Sequence, residues 1–454
     1  MSMHRDPRTH TPALLQLCRQ GVDLAQTSGA SQAEVCAQWN HTVEAGVQQN
    51  DLDGLSETEE TTLGVRVIVD GRPGFATANG SRSLSQAVED AVAIARATAP
   101  DPWTGFVEGD GTLHAGDHVC PELVAWSSPE VVSRLMDAIR ELRAQDSRLT
   151  IDTAALSVSR AARAIATSNG VAGTWADTHA HGNVFGMAID GTEVGSFAYD
   201  GDAVSTLGEL NAALSAAFTR FRIDAIGALA ASAGESFRGT ILLPPATASG
   251  LLLRHLLGGL NGSSIRRSRS PFADKLHQSI ASPDLTVTEE GRGLPGHPLA
   301  PFDREGAPRH TRKIVEGGVM KSILLDQYEA RAVGSETTGS AVGGPRSAPQ
   351  PGAVAVSVAP GTTSAADLEA AQKCVVVTRF SGTTNAVTGD FSGVVKGGFL
   401  SVGGVRRPIH ETTISGNVYE ALQHITGISA ERQLMYGQQL LPTVRVADVS
   451  ITAG

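Results

Sequence analysis

The chain has little of what many function classes leave in a sequence. Cysteine is scarce: Cys18, Cys36, Cys120 and Cys374 are scattered over 454 residues and form no C-x-x-C pair. That spacing fits reduced thiols, not a disulfide framework or a redox motif. Positive charge is short as well. There are 36 Lys and Arg against 47 Asp and Glu, a net charge of -11, so nothing draws the chain to a phosphate backbone and no nucleic-acid partner is expected. No apolar run approaches the roughly 20 residues that span a bilayer, and the polar start MSMHRDPRTH is followed by no apolar leader. The expectation is a cytoplasmic protein with no membrane contact. The sequence also contains no G-x-x-x-x-G-K-[ST] phosphate loop, no G-x-S-x-G elbow and no local Cys/His signature of a thiol nucleophile. A zinc-peptidase helix of the H-E-x-x-H kind is missing too. Of 13 histidines only His410 is followed by a glutamate, Glu411, and the strand-like IHETTISGN around it gives that pair a surface or core-edge place.

What is present is the composition of a folded protein, 41% hydrophobic and 18% charged, with 50 glycines that point to many turns. Residues 11–28 carry Leu14, Leu15, Cys18 and Val22 near a 3.6-residue period and predict a helix. AEVCAQWNHTVEAGVQQ and GVRVIVD then alternate like strands. Ser83 and Gln86 predict a capping box for a helix running to about Ala97, and Ser128-Pro129-Glu130 opens another. Residues 151–200 return to strand character with turns at Ser168-Asn169-Gly170 and Asp190-Gly191, and 205–231 reads as helix. Beyond Phe237 one buried helix near 247–258 is followed by short strands and glycine-rich turns. The fold class expected is α+β: an α/β N-terminal domain, 1–235, followed by a mostly antiparallel β C-terminal domain, 236–454, with one buried helix. The Pro- and Gly-rich segment Ser340–Ala355 reads as a mobile loop, either a plain connection or the border of a cleft.

Residue types that bind metals or attack carbonyls occur in few clusters. HAGDHVC offers His114, Asp117, His118 and Cys120, but in what reads as a polar loop. His179 and His181 share one face of a strand without a third ligand nearby in sequence. Ser249 at the start of the buried helix reads as a cap, not a nucleophile. IRRSRS, from Ile265 to Ser270, is a local basic patch, read either as solvated loop or as contact for a partner subunit or a peptide carboxylate.

Five separated stretches occur in a telling order. They are LGVRVIVDGRPGFATANG (63–80), TSNGV (167–171), the long run from LPGHPLAPFDREG (294–306) through IVEGGVMKSILLDQYEARAVGSETTGSA (314–341), VTGDFSG (387–393) and ISGNVYEAL (414–422). Together they resemble the TldD/PmbA family of the peptidase U62 type, and its PmbA/TldE branch more than its TldD branch, from about Ala33 to the C-terminus. The resemblance implies that the catalytic branch holds zinc with an H-E-x-x-x-H helix and a cysteine near the C-terminus. On this chain those positions fall at Arg254, His255, Gly259 and Tyr436. Arginine does not deprotonate to ligate at neutral pH and glycine has no donor. The resemblance therefore implies a chain with no cofactor of its own and no catalytic residue. It implies pairing with a zinc-bearing TldD-like subunit in a complex that cuts small or unfolded peptides. Residues of the signature stretches would line the cleft: Asp303, Arg304, Asp326, Tyr328, Thr337, Thr338 and Gly339. Two other readings stay open at this level, an independent peptidase with an unrecognised site and a non-enzymatic homo-oligomeric scaffold. The family's older label, modulation of DNA gyrase, finds no basic recognition element here.

Overall fold

The computed structural model describes residues 5–80, 83–229 and 231–454; the first residues of the polar start, and Ala230 within the 205–231 helical reading, lie outside them. The first half is one sheet with helices on one face. Its elements are α1 (Thr11–Thr27), β1 (Gln32–Gln48), β2 (Asp51–Val69), β3 (Arg72–Asn79), α2 (Leu84–Ala97), β4 (Leu113–His118), α3 (Pro121–Ala125) and α4 (Ser128–Gln145). There follow β5 (Leu149–Thr167), β6 (Ala172–Asp190), β7 (Glu193–Val194), β8 (Ala198–Val204) and α5 (Leu207–Gly227). The spatial order is β3-β2-β1-β5-β6-β4, with β7 and β8 also on β6, and every pairing is antiparallel except β4 with β6.

The pleat decides which residues meet the helices. On β1 the odd positions Ala33, Val35, Ala37 and Trp39 pack with α1 and α2, and Val43, Ala45 and Val47 pack with α4 and α5. α2 approaches β3 so closely that a Cβ on Gly74 would lie 2.0 Å from the Ala91 carbonyl and 2.7 Å from the Ala95 nitrogen. Gly74→Ala is therefore expected to destabilise the fold by roughly 1–3 kcal/mol through overpacking, read as a fall in the denaturant midpoint. A variant that unfolds with the parent would show that α2 can shift without cost.

The second half is a twelve-stranded sheet that includes the strands Phe237–Leu243, Cys374–Thr384, Asp390–Val402 and Gln439–Ala453. Beneath it runs one helical segment, Pro245–Gly259, whose middle, Ser249–Leu253, is wound as a π-helix. Leu251, Leu252, Leu253 and Leu256 bury it in the core of this half. A small hydrophobic cluster joins the halves: Cys36, Ile165 and Trp175 of the first sheet pack on Phe302 and Ala307. Among the described residues no helix is long and apolar enough to cross a membrane.

Three local expectations change. Ser83 does precede α2, but its hydroxyl donates to the Asn79 carbonyl and Gln86 bonds Asp90 at 2.9 Å, so no capping box forms there. The box belongs to α4 instead, between Ser127 and Glu130. HAGDHVC is not a loop, because Leu113–His118 pairs in parallel with β6. Ser340–Ala355 is anchored and not a mobile loop. It holds a short hairpin, Ala341–Val342 with Gln350–Pro351, and Arg346 bonds Glu60 of β2 at 2.8 Å.

Candidate functional site

A concavity of about 830 Å³ opens between the helix Pro245–Gly259 and the strand Cys374–Thr384, with Phe197, Tyr199 and Asp224 of the first half on its wall. Its shape follows from a strand that loses its neighbour. Thr240–Leu242 pairs with Cys374–Val376; the chain then turns at Pro244-Pro245, which offers no N–H to continue the strand but is tolerated at the start of the helix. Past Val376 the other edge still pairs with Phe391–Gly398. Among the described residues the edge facing the helix has no strand partner, and Thr378, Arg379, Phe380, Gly382 and Thr384 line the cleft there.

Arg254 and His255 both border this cleft. His255 Nδ1 lies 3.0 Å from the Leu251 carbonyl. A carbonyl only accepts, so Nδ1 carries the proton and Nε2 keeps the lone pair. Burial, with Arg254 beside it, holds the His255 pKa below the ordinary 6.5. Gly259 faces away from the cleft, its missing side chain leaving room for the Phe272 ring. Tyr436 stands outside the cleft wall with its ring centroid 6.0 Å from His181, and burial pushes its hydroxyl pKa up. The donor chemistry of these four positions does not fit zinc, since Arg254 and Gly259 offer no lone pair. Among the described residues no three His, Cys, Asp or Glu side chains gather as a metal site. His179 instead faces Asp177 at 3.8 Å, and His410 faces Glu411 at 3.7 Å on the surface. Ser249 is no N-cap; it lies within the π-helical stretch and its hydroxyl bonds Gln439.

A second cavity of about 750 Å³ lies on the far side of Gly258 and Ser264, which border both. Asp326 and Tyr328 line it. Asp326 caps the helix Gln327–Ala332 by accepting from Glu329 N at 2.8 Å. Burial and the charge of Glu305 push its carboxyl up to about 7. The Tyr328 hydroxyl donates to Asp101 at 3.0 Å, and the Arg266 guanidinium sits 5.2 Å from its ring centroid while bonding Glu329. The basic patch IRRSRS is thus divided: Arg266 is paired, Arg267 faces the second cavity and Arg269 the first.

The remaining signature residues are brought together elsewhere, at the junction of the two halves. Asp303 accepts from the backbone of Glu305, Ala307 and Ala341 at 2.9, 3.0 and 2.9 Å, closing the DREG turn. Arg304 reaches Glu34 of β1 at 2.9 Å, Glu34 also takes Arg66 at 3.0 Å, and Arg66 takes Glu305 at 2.9 Å. Glu305 also accepts from Gln327 N at 2.8 Å. Burial alone would raise the Glu34 carboxyl, but the charges and hydrogen bonds of Arg66 and Arg304 together hold it below 4.5. Thr337 and Thr338 donate to the Leu325 carbonyl. Gly339 adopts φ +65° where the Pro308 carbonyl fills the space of a side chain. Asp303 and Arg304 border a third, smaller cavity of about 260 Å³, whereas Thr337, Thr338 and Gly339 border none of the three. Sequence reasoning missed Glu34, Arg66, Arg379 and Lys396. Only a buried acid within a strand, Glu34 between Ala33 and Val35, carried a visible signal.

Comparison with known proteins agrees with this architecture. Residues 236–453 match the PmbA/TldA metallopeptidase C-terminal domain and residues 33–95 match PmbA/TldA metallopeptidase domain 1. The metalloprotease PmbA of Escherichia coli O157:H7 is 26% identical over 442 residues, covering 93% of this chain and 94% of that one. A metalloprotease PmbA homolog of Haemophilus influenzae is 24% identical over 90% of this chain and 89% of its own. The crystal structure of TldE from Thermococcus kodakarensis superposes with a TM-score of 0.84 at 23% identity, covering 96% of this chain and 99% of that one, and so shares the fold. With both the first and the last domain of the family matched in order, the chain belongs to the PmbA/TldD metallopeptidase family.

Proposed function

We propose that this chain is the TldE/PmbA-like subunit of a two-chain, cytoplasmic metallopeptidase that cleaves small or unfolded peptides. In this reading it is metal-free and its zinc-bearing partner is a TldD-like subunit. The observation that carries the reading is the cleft. It holds about 830 Å³, it is bordered by an unpaired strand edge, and Arg254 borders it from the helix at a position where a catalytic relative would place a ligand. An unpaired strand edge can bind a peptide main chain, and cleft walls can exclude water and hold a substrate extended without performing the bond cleavage themselves.

Native mass spectrometry of the protein isolated from its own cells, with metal analysis of the same sample, tests this. A complex with a second chain of similar size, and zinc assigned to that chain, is expected. A homo-oligomer with stoichiometric zinc would overturn the reading in favour of an independent enzyme. A metal-free homo-oligomer would overturn it in favour of a scaffold.

A further inference from the structure

The cleft has a charge that the rest of the protein does not. In a chain of net charge -11, four cationic side chains from three separate segments border it: Arg254, Arg269, Arg379 and Lys396. Among the described residues the ion pairs gather elsewhere, and Arg254, Arg269 and Lys396 have no carboxylate partner. Arg379 is half-buried and donates only to neutral oxygens, the Ser196 hydroxyl and the Lys396 carbonyl, both at 3.0 Å. A guanidinium taken partly out of water beside neutral acceptors favours a nearby anion, and the opposing charge that acts on it is that of Asp224. The one acid in the lining, Asp224, is itself held up to about 6 by burial and by the charge of Asp200. It therefore sheds its opposing charge early as pH falls. The rim is apolar as well: Phe197 is 48% exposed, Tyr199 47% and Val387 49%.

We propose that this cleft is selective for acidic peptides, with the carboxylates of an extended chain held by Arg254, Arg269 and Lys396 and by Arg379 at its floor. The inference rests on the peptide-binding role proposed above and adds the chemical class of the ligand. Carboxylates could come from Asp and Glu side chains or from a free C-terminus; both would meet the same cations. The apolar rim takes the intervening side chains, and the open strand edge from Thr378 to Thr384 fixes the backbone without reading sequence. Electrostatic complementarity then supplies the selectivity, and salt weakens it.

The test uses the full chain and fluorescein-labelled peptides of one length that carry Glu, Gln or Lys at the same positions, each with a free or an amidated C-terminus. Binding is read by fluorescence anisotropy at low and high salt. The Glu peptide is expected to bind about tenfold more tightly than the Gln peptide at low salt and to lose most of that advantage at high salt. The triple variant R254E/R269E/K396E should reverse the order in favour of the Lys peptide. K396Q and R269A, two single changes at exposed side chains, should each narrow the difference even if the triple variant folds poorly. Whether the preference follows the side chains or the terminus identifies the source of the carboxylate. Equal binding of the Glu and Gln peptides would overturn the acidic selectivity and leave the peptide role standing. Failure of every peptide to bind would overturn both.

Discussion

Replacing Arg304 by alanine is expected to lower the unfolding free energy by roughly 3–5 kcal/mol, because it leaves Glu34 buried with half of its charge compensation gone. The side chains of Arg304 and Glu34 are 7% and 1% exposed, so water cannot take the place of the lost guanidinium. The effect reaches past the pair. Arg66 joins Glu34 to Glu305, and Glu305 in turn receives the first backbone N–H of the helix that follows Asp326. The four charges alternate in sign across the junction of the two halves, so their loss should loosen the halves from each other. Chemical denaturation at neutral pH measures the cost, and separation of one unfolding transition into two would report the loosening. Arg304→Lys should recover only part of the loss, since an ammonium cannot reproduce the planar fork. Replacing Arg304 and Glu34 together by apolar residues should cost less than either single change. Acid gives a further check. The Glu34 pKa is depressed below 4.5 in the folded state, so its stabilisation is present above 4.5 and disappears as pH falls through the lower folded value. Glu34→Gln should remove that part of the acid dependence. An Arg304→Ala variant with an unchanged midpoint would show that the junction is held by the Phe302 and Ala307 packing alone.

The same residues show how far the sequence could be read. Periodicity placed the long helices and the alternating part of β1, because each buries one face and its apolar residues repeat at the period of the element. It missed the first half of β2. From Asp51 to Glu60 every residue is exposed, so no alternation records that stretch as strand, and only its pairing with β1 makes it one. The segment 340–355 reads as mobile because proline and glycine dominate it, yet Arg346 and the Ala341–Gln350 hairpin anchor it through contacts about 280 residues away in sequence. The candidate site divides in a similar way. Arg254 and His255 were placed by the helix on which they lie. DREG was visible as a signature, but the work of Arg304 depends on Glu34, and a partner 270 residues distant leaves no local pattern. Arg379 and Lys396 border the cleft only because one strand outruns its neighbour, which no composition encodes.

The second large effect is expected at Arg160, which is fully buried and, among the described residues, has no carboxylate bonded to it. Its guanidinium donates to the carbonyls of Leu123, Val124 and Trp126 at 2.8, 3.2 and 2.7 Å, capping the C-terminal end of α3, where carbonyls lack helical partners and a cation is favoured. Nη1 donates to His41 Nδ1 at 3.0 Å, directly across the β1–β5 pairing. His41 must therefore accept at Nδ1 and carry its proton on Nε2, which donates to Glu57 at 2.8 Å. A second proton on His41 would set N–H against N–H. Burial, then the Arg160 charge, hold its pKa below 6.5 against the opposing pull of Glu57. Arg160→Met preserves volume but strands three carbonyls, at an expected cost of about 3–5 kcal/mol, and faster hydrogen exchange over 121–126 should accompany the lower denaturant midpoint. The pH dependence separates this role from mere packing. With the folded pKa of His41 depressed, the unfolded chain binds the extra proton first, so stability is full above 6.5 and declines as pH falls below it. Removing the Arg160 charge relaxes that depression, so the decline below 6.5 should be shallower in Arg160→Met than in the parent. An unchanged slope would mean that burial alone keeps His41 neutral, and that Arg160 serves only the end of α3.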